Sequence, residues 1–338
     1  MQQNISRMPS IRHLGLPLLC VLLLAGGSAC THLTQIRPGA PPLLVDAANR
    51  ENSAAEKFAP AFVIYNPDDS DNRIGRPEAY RDKEGEPAVR VTAENPAFYF
   101  LPKEFRTEKG TYENLVYRVH FPRVPFSLVP FILTSGDNVG LMVVVTLNSE
   151  GKPVLVTTVH TCGCYVAIIP TSYLPTECLP EGWKNEPASV YGETLPGVLP
   201  FQGFEDPVVV AWLRPAVHRV MDLKIMERRD LAGLAGTECR KEAEILPMEN
   251  LAKLSLENTT VDMFEEKGGR AGYVKGSFKP WETLLMSAFS WNLFIGSDKA
   301  YDTDAYGNPF FTSLVPWQRK DSDMWDFARF LKFWGWRL

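Results

Sequence analysis

Between residues 97 and 170 apolar and polar positions alternate with a period of two, the pattern of half-buried strands. Leu115, Tyr117, Val119 and Phe121 fall on one side, and Val116, Arg118 and His120 on the other. Residues 140–147 (G-L-M-V-V-V-T-L) and 153–170 (P-V-L-V-T-T-V-H-T-C-G-C-Y-V-A-I-I-P) are strong apolar runs joined by N-S-E-G-K. Two such runs separated by five residues containing Gly predict a β-hairpin. Both faces of 153–170 are largely apolar, which predicts a strand inside a sheet rather than at its edge. Alternate side chains of an extended chain share a face. Val154, Val156, Thr158, His160, Cys162, Cys164, Val166 and Ile168 are therefore predicted to point one way.

On either side of this block the pattern changes. Residues 61–65 predict a short strand, and the polar stretch 66–86, with Asp68, Asp69, Ser70 and Asp71 in a row, predicts a solvated loop. Residues 171–207 hold six prolines and four glycines, the composition of a lid or binding loop. Residues 208–213 (V-V-V-A-W-L) predict a buried strand. The stretch 216–226 fits a strand or a helix, and the helix would put His218 and Asp222 on one face. Beyond residue 227 helices are expected, with a hairpin around K-G-G-R-A-G (267–272) and a buried helix, apolar nearly all round, over 281–295. A last helix is predicted from an N-cap at Ser322 to a stop at Gly335. Its stripe is Met324, Phe327, Ala328, Leu331 and Trp334, which predicts docking on the domain in preference to lipid.

The expected fold class is α+β: an antiparallel β-sheet core, sandwich-like in one variant, with C-terminal helices packed behind it. The expected division is a signal over 1–29, a tether over 30–60, a β-rich part over 61–226 and a helix-rich part over 227–338 on the same core. At 45% hydrophobic and 22% charged residues, the chain can bury a sizeable core. A net charge of −5 gives no concentrated basic surface, so no nucleic acid partner is expected.

Arg7, Arg12 and His13 precede an apolar run of 12 residues ending at Ala25, too short to span a bilayer and laid out as an export signal. The following G-G-S-A-C, ending at Cys30, resembles the lipobox of bacterial lipoproteins, with Gly27 where that family usually has Leu. The resemblance implies cleavage before Cys30, acylation of Cys30 and anchorage to a membrane. With Thr31 next, it implies the outer membrane facing the periplasm. An envelope protein or a glycan is the partner class expected there.

Export also changes how the cysteines read. Cys162, Cys164, Cys178 and Cys239 remain once Cys20 and Cys30 are set aside, and an even count in an oxidising compartment predicts disulfides, with three pairings open. A Cys162–Cys178 bridge would close about 15 residues and contribute about 3 kcal/mol. Four readings compete for this group. In the first the cysteines are structural. In the second His160, Cys162 and Cys164 bind zinc or copper, with His120, His218 or Cys178 completing the set. The third is thiol chemistry, since a Cys162–Cys164 bridge across one Gly is strained and easily reduced. T-C-G-C-Y-V (161–166) is similar to the S-x-G-C signature of L,D-transpeptidases, although Ala167 replaces that family's Arg or Asn. That likeness implies Cys164 as nucleophile with His120 or His160 as its base. In the fourth the cysteines only hold together a binding module. The leading expectation is a lipid-anchored binding or structural component, and a metal- or cysteine-dependent enzyme is the alternative. D-T-D-A-Y-G-N (302–308) is read as a turn, because Tyr306 and Ser313 stand where a calcium loop needs ligands. C-x-x-C-H, P-loop, H-E-x-x-H and G-x-S-x-G motifs are absent.

Overall fold

A computed structural model describes residues 35–47, 53–128, 131–234 and 239–338. The chain is mostly β. In order its strands are β1 (Leu43–Ala47), β2 (Ala61–Ile64), β3 (Arg76–Arg81), β4 (Pro87–Thr92), β5 (Ala97–Thr107), β6 (Gly110–Val124), β7 (Gly136–Leu147) and β8 (Pro153–His160). There follow β9 (Ala167–Pro170), β10 (Ala188–Val190), β11 (Glu193–Leu195), β12 (Pro207–Leu213), β13 (Val220–Glu227), β14 (Arg240–Pro247), β15 (Leu254–Leu256) and β16 (Thr259–Val261). Among the described residues four short α-helices accompany them: α1 (Ala54–Lys57), α2 (Pro280–Ser290), α3 (Thr303–Tyr306) and α4 (Phe327–Phe333).

Ten strands form one curled sheet in the order β13-β12-β2-β1-β14-β5-β6-β7-β8-β9. It is mixed, not purely antiparallel as expected: β1 with β14, β2 with β12 and β5 with β14 run parallel. Periodicity reports the face of a residue but not its neighbouring strand. β14 therefore enters the middle of the sheet from a stretch expected to be helical, its Arg240 gripping the buried Asp46 of β1 through two hydrogen bonds of 3.0 and 2.8 Å. The stretch read as tether supplies the wholly buried β1, and the predicted loop 66–86 contains β3. Residues 216–226 resolve as a turn leading into β13, so the helix with His218 and Asp222 on one face does not form.

One face of the sheet carries the main core, from Leu43, Phe62 and Phe98 through Tyr117, Phe121, Val143 and Val156 to Val209 and Leu223. The opposite face of β5–β9 is covered by the C-terminal segment, where Phe327, Phe330, Leu331 and Trp336 pack on Val116, Val144 and Leu155. The last helix thus docks on the domain. Asp326 caps it, its carboxylate accepting from Arg329 N–H, and Ser322 serves the preceding turn instead. Gly335, at φ +86°, ends it as predicted.

The predicted hairpin is β7–β8, with Val143 opposite Thr158 and Val145 opposite Val156. The long run does not continue straight, however. It turns back at His160, and β9 pairs antiparallel with β8 as the edge strand of the sheet. The loop 171–207 carries the small β10–β11 hairpin. The predicted hairpin at 267–272 forms, with Phe264 bridged to Val274. The predicted helix over 281–295 ends at Ser290 and is not buried: Leu284, Leu285 and Phe289 stand in solvent. An all-apolar helical pattern does not say which sides find a partner. Among the described residues no helix is long and apolar enough to cross a membrane.

Candidate functional site

Where β8 ends, the chain makes a tight turn that holds both central cysteines. His160 N–H donates to Cys164 O (3.0 Å), and Gly163 N–H donates to His160 O (2.7 Å). Gly163 adopts φ +88°, and a side chain there would strike the Phe311 carbonyl. Only Gly meets both demands. This turn takes Cys162 and Cys164 off the strand alternation and brings their sulfurs together, with Sγ–Sγ 2.7 Å in a hydrogen bond.

Around the turn lies a buried charge network that hydrophobic periodicity does not reveal. Asp298, wholly buried, accepts hydrogen bonds from Thr161 Oγ1, Ser277 Oγ (3.0 Å) and Gly140 N–H (3.2 Å). Lys279, at the start of α2, brings its Nζ to 3.2 Å from Asp298 Oδ2. Lys299 Nζ donates to the Cys162 carbonyl and sits 4.1 Å from the centre of the Phe311 ring. Its own carbonyl accepts from Arg118 Nη1 (2.7 Å). Glu282, one helical turn from Lys279, is buried against Gly296. The sequence does carry a trace of this: Lys279, Glu282, Asp298 and Lys299 bracket residues 283–297, a run of 15 without a single charge. Isolated charges at the borders of an apolar run are candidates for burial in pairs.

Electrostatics separates the two thiols. Burial pushes Cys162 up, but the hydrogen bond with Cys164 and the Lys279 ammonium outweigh it and hold this thiol below its ordinary value. The same hydrogen bond, reinforced by burial and by the Cys162 charge, pushes Cys164 well above it. The hydrogen bond between the two sulfurs thus favours losing a proton from Cys162 before Cys164. Burial opposes the charge on Lys279, yet Asp298 and Cys162 hold its pKa well above the ordinary value. Burial also raises Glu282.

The histidines expected to serve the cysteines do other work. In register, Val119 faces Leu141 and Leu141 faces His160. His160 thus lies on the main-core face while His120, next to Val119, lies on the opposite one. His120 takes a hydrogen bond from Arg118 Nε (2.9 Å) and packs on Tyr99, and its pKa falls well below the usual value through burial and then Arg118. His160 Nε2 lies 3.3 Å from the His218 carbonyl and its ring packs against Tyr165. Burial, Lys279 and His218 lower it to about 3. His218 stacks on Phe121 at 4.0 Å, and burial lowers it to about 3 as well.

No group of three or more His, Cys, Asp or Glu side chains is placed to hold a metal among the described residues. Cys178 packs beneath the C-terminal segment beside Lys109, and Cys239 borders a separate core of Leu44, Val63 and Val210. All four described cysteines are free thiols. Cys30 lies outside the described residues.

The Pro-rich loop folds over the thiol turn. Tyr191 packs edge-on against Tyr165 at 5.2 Å, and burial followed by the nearby Cys164 and Cys162 pushes its phenol up to about 12. Charge holds the loop: the buried Glu193 accepts from Arg214 Nη2 (2.6 Å) and Arg219 Nε (3.0 Å). A second concavity, a cleft of about 330 Å3, is lined by Tyr273, Trp291, Asn292, Tyr306, Phe311 and Arg319 among others. No protein-family model, no curated protein and no solved structure matches the chain.

Proposed function

We propose that this is a lipid-anchored component of the bacterial cell envelope whose Cys162–Gly163–Cys164 turn passes disulfides to partner proteins. The export signal and the G-S-A-C sequence ending at Cys30 support the address. The observation that carries the chemistry is the sulfur pair 2.7 Å apart, with Cys162 held below its ordinary pKa by Cys164 and Lys279. In the oxidised form the half-buried Cys164 is the accessible sulfur. A partner thiolate attacks it, the Cys162–Cys164 bond breaks, and Cys162 leaves as the thiolate that Lys279 stabilises. A second partner thiolate then displaces Cys164, which takes up a proton. Two electrons have moved from the partner dithiol to the pair. A leaving thiol of low pKa departs faster, and a stabilised reduced form makes its disulfide a stronger oxidant.

The experiment is to oxidise the full chain, mix it with a reduced dithiol peptide and map the bonds by mass spectrometry. The peptide is expected to gain a disulfide as Cys162 and Cys164 become reduced, and Cys162→Ser is expected to be inactive. Failure of oxidant to join Cys162 to Cys164 would refute the reading.

A second reading, a glycan-binding component, is supported by the cleft, where Trp291 and Tyr306 offer ring faces and Asn292, Asn308 and Arg319 offer polar groups. Saturation-transfer NMR with N-acetylglucosamine oligomers tests it, and an unchanged spectrum excludes it.

A further inference from the structure

Ten large apolar side chains are exposed along three segments: Phe126 and Leu128; Phe278, Leu284, Leu285, Phe289, Trp291 and Leu293; and Leu314 and Trp317. Leu284 is 69% exposed, Trp291 74% and Trp317 73%. The segments adjoin. Phe126 stacks on Trp281 at 5.8 Å, and Trp291 meets Trp317 at 6.3 Å. A continuous apolar rim of this kind marks an interaction surface, and residues 283–297 contain no charge to keep it wet.

We propose that this rim, centred on α2, rests on a phospholipid bilayer as a second contact beside the lipid anchor; the inference rests on the anchored reading above. What selects a bilayer over another occupant is where the chain enters the fold. Gln35, the first described residue, is held through its carbonyl by Asn66 Nδ2 (3.0 Å), and Asn66 O accepts from Asn72 Nδ2 (3.0 Å). Next to Asn72, Asp71 pairs with Arg123 (3.8 Å), and Arg123 with Asp137 (3.4 Å). Gly136 then abuts the Phe278 carbonyl and the Lys279 side chain at the start of α2. A line of contacts thus joins the N-terminal entry to the apolar rim. Cys30 is five residues before Gln35, a reach of at most about 18 Å. An acyl chain on Cys30 holds this side of the molecule near the membrane, and Leu285, Phe289 and Trp317 supply the mixed aliphatic and indole surface suited to the interface.

The test reconstitutes the full chain into vesicles of phosphatidylethanolamine and phosphatidylglycerol carrying brominated acyl chains, and reads quenching of tryptophan emission. Strong quenching is expected for the unaltered chain, with most of it lost in Leu285→Asp/Phe289→Asp and part of it in Trp317→Phe. Both altered surfaces are exposed, so the urea midpoint should not move. Trp317→Phe retains a readout if the double variant folds poorly. Quenching that is the same in all three proteins overturns the proposal. So does an acylated, vesicle-bound chain that shows no quenching, which leaves the anchor standing. A dimer in solution that L285D/F289D dissociates also overturns it, by placing a second copy on the rim. Quenching of a chain whose mass shows no acyl group supports the contact and refutes the anchor.

Discussion

Lys279 Nζ stands 3.2 Å from Asp298 Oδ2, and neither side chain reaches solvent. Asp298 gathers three further donors, from Thr161, Ser277 and the backbone of Gly140, so one carboxylate ties β7, the cysteine turn and the entry to α2 together. Removing one member of a buried ion pair leaves an uncompensated charge and costs about 3–5 kcal/mol. Asp298→Asn and Lys279→Met are each expected to lose stability on that scale in urea titrations. The double variant is expected to lose less than the sum by about 1 kcal/mol or more, because partners in one network couple. Additive losses would mean that the two residues stabilise the fold independently.

Three histidines enter the fold uncharged. Burial first, with a neighbouring Lys or Arg adding to it in each, lowers the folded pKa of His160 and His218 to about 3 and that of His120 well below 6.5. In the unfolded chain they titrate near 6.5, so below that pH the unfolded state binds more protons. Stability from these groups is present above about pH 6.5 and drains away as pH falls toward the folded values. Each contributes a slope of about 1.4 kcal/mol per pH unit in that window. Urea midpoints between pH 6.5 and 4 should therefore fall steeply, and His160→Gln should flatten the curve by about one third. An unchanged slope in that variant would show that His160 is protonated in the folded protein.

Gly163 separates backbone strain from collision. Its φ of +88° is shared in kind by Gly182 at +71°, but a side chain at Gly182 meets nothing within 4 Å, whereas one at Gly163 strikes the Phe311 backbone. Gly182→Ala should cost about 1 kcal/mol, the price of left-handed backbone alone. Gly163→Ala should cost about 3 kcal/mol or more, the clash adding to the strain. Thermal unfolding of the two variants compares them directly, and equal losses would show that the turn can shift away from Phe311.

The parts of this fold legible in the sequence are those governed by local periodicity. Alternation at Leu115–Phe121 and in the two runs around N-S-E-G-K located β6 and the β7–β8 hairpin, and the stripe from Met324 to Trp334 located the docked C-terminal segment. What a period of two conceals is a reversal within an apolar run. His160, Cys162 and Cys164 share one parity, yet Gly163 turns the chain and only the two sulfurs meet. Parity also cannot show that β14, with its polar R-K-E-A-E, would slip between β1 and β5. The charges around the thiols were hidden for a different reason. Lys279, Glu282, Asp298 and Lys299 look like ordinary solvated residues, yet they are buried while the apolar Leu284, Leu285, Phe289, Trp291 and Leu293 between them face outward.

Glu193 sets access to the thiols. It is buried, and although burial alone would raise its pKa, hydrogen bonds from Arg214 and Arg219 hold it below the usual carboxylate value. The residue two before it is Tyr191, whose ring covers Tyr165 and lies close enough to Cys164 for its phenol to feel the sulfur. Glu193→Gln keeps the shape and removes the charge, so Arg214 and Arg219 lose a carboxylate and the β10–β11 hairpin loses its main tie to the turn before β13. The β10–β11 hairpin should then open more often without unfolding the sheet, while the start of the loop stays tied through Arg337 Nε to the Leu179 carbonyl (2.9 Å). Two readouts should move together: proteolysis within 180–200 and alkylation of Cys164 should both rise about tenfold, while the global urea midpoint shifts little. Tyr191→Ala should raise alkylation without raising proteolysis, because it removes the cover and leaves the tie. If Glu193→Gln speeds proteolysis but not alkylation, Tyr191 is not what shields the sulfur.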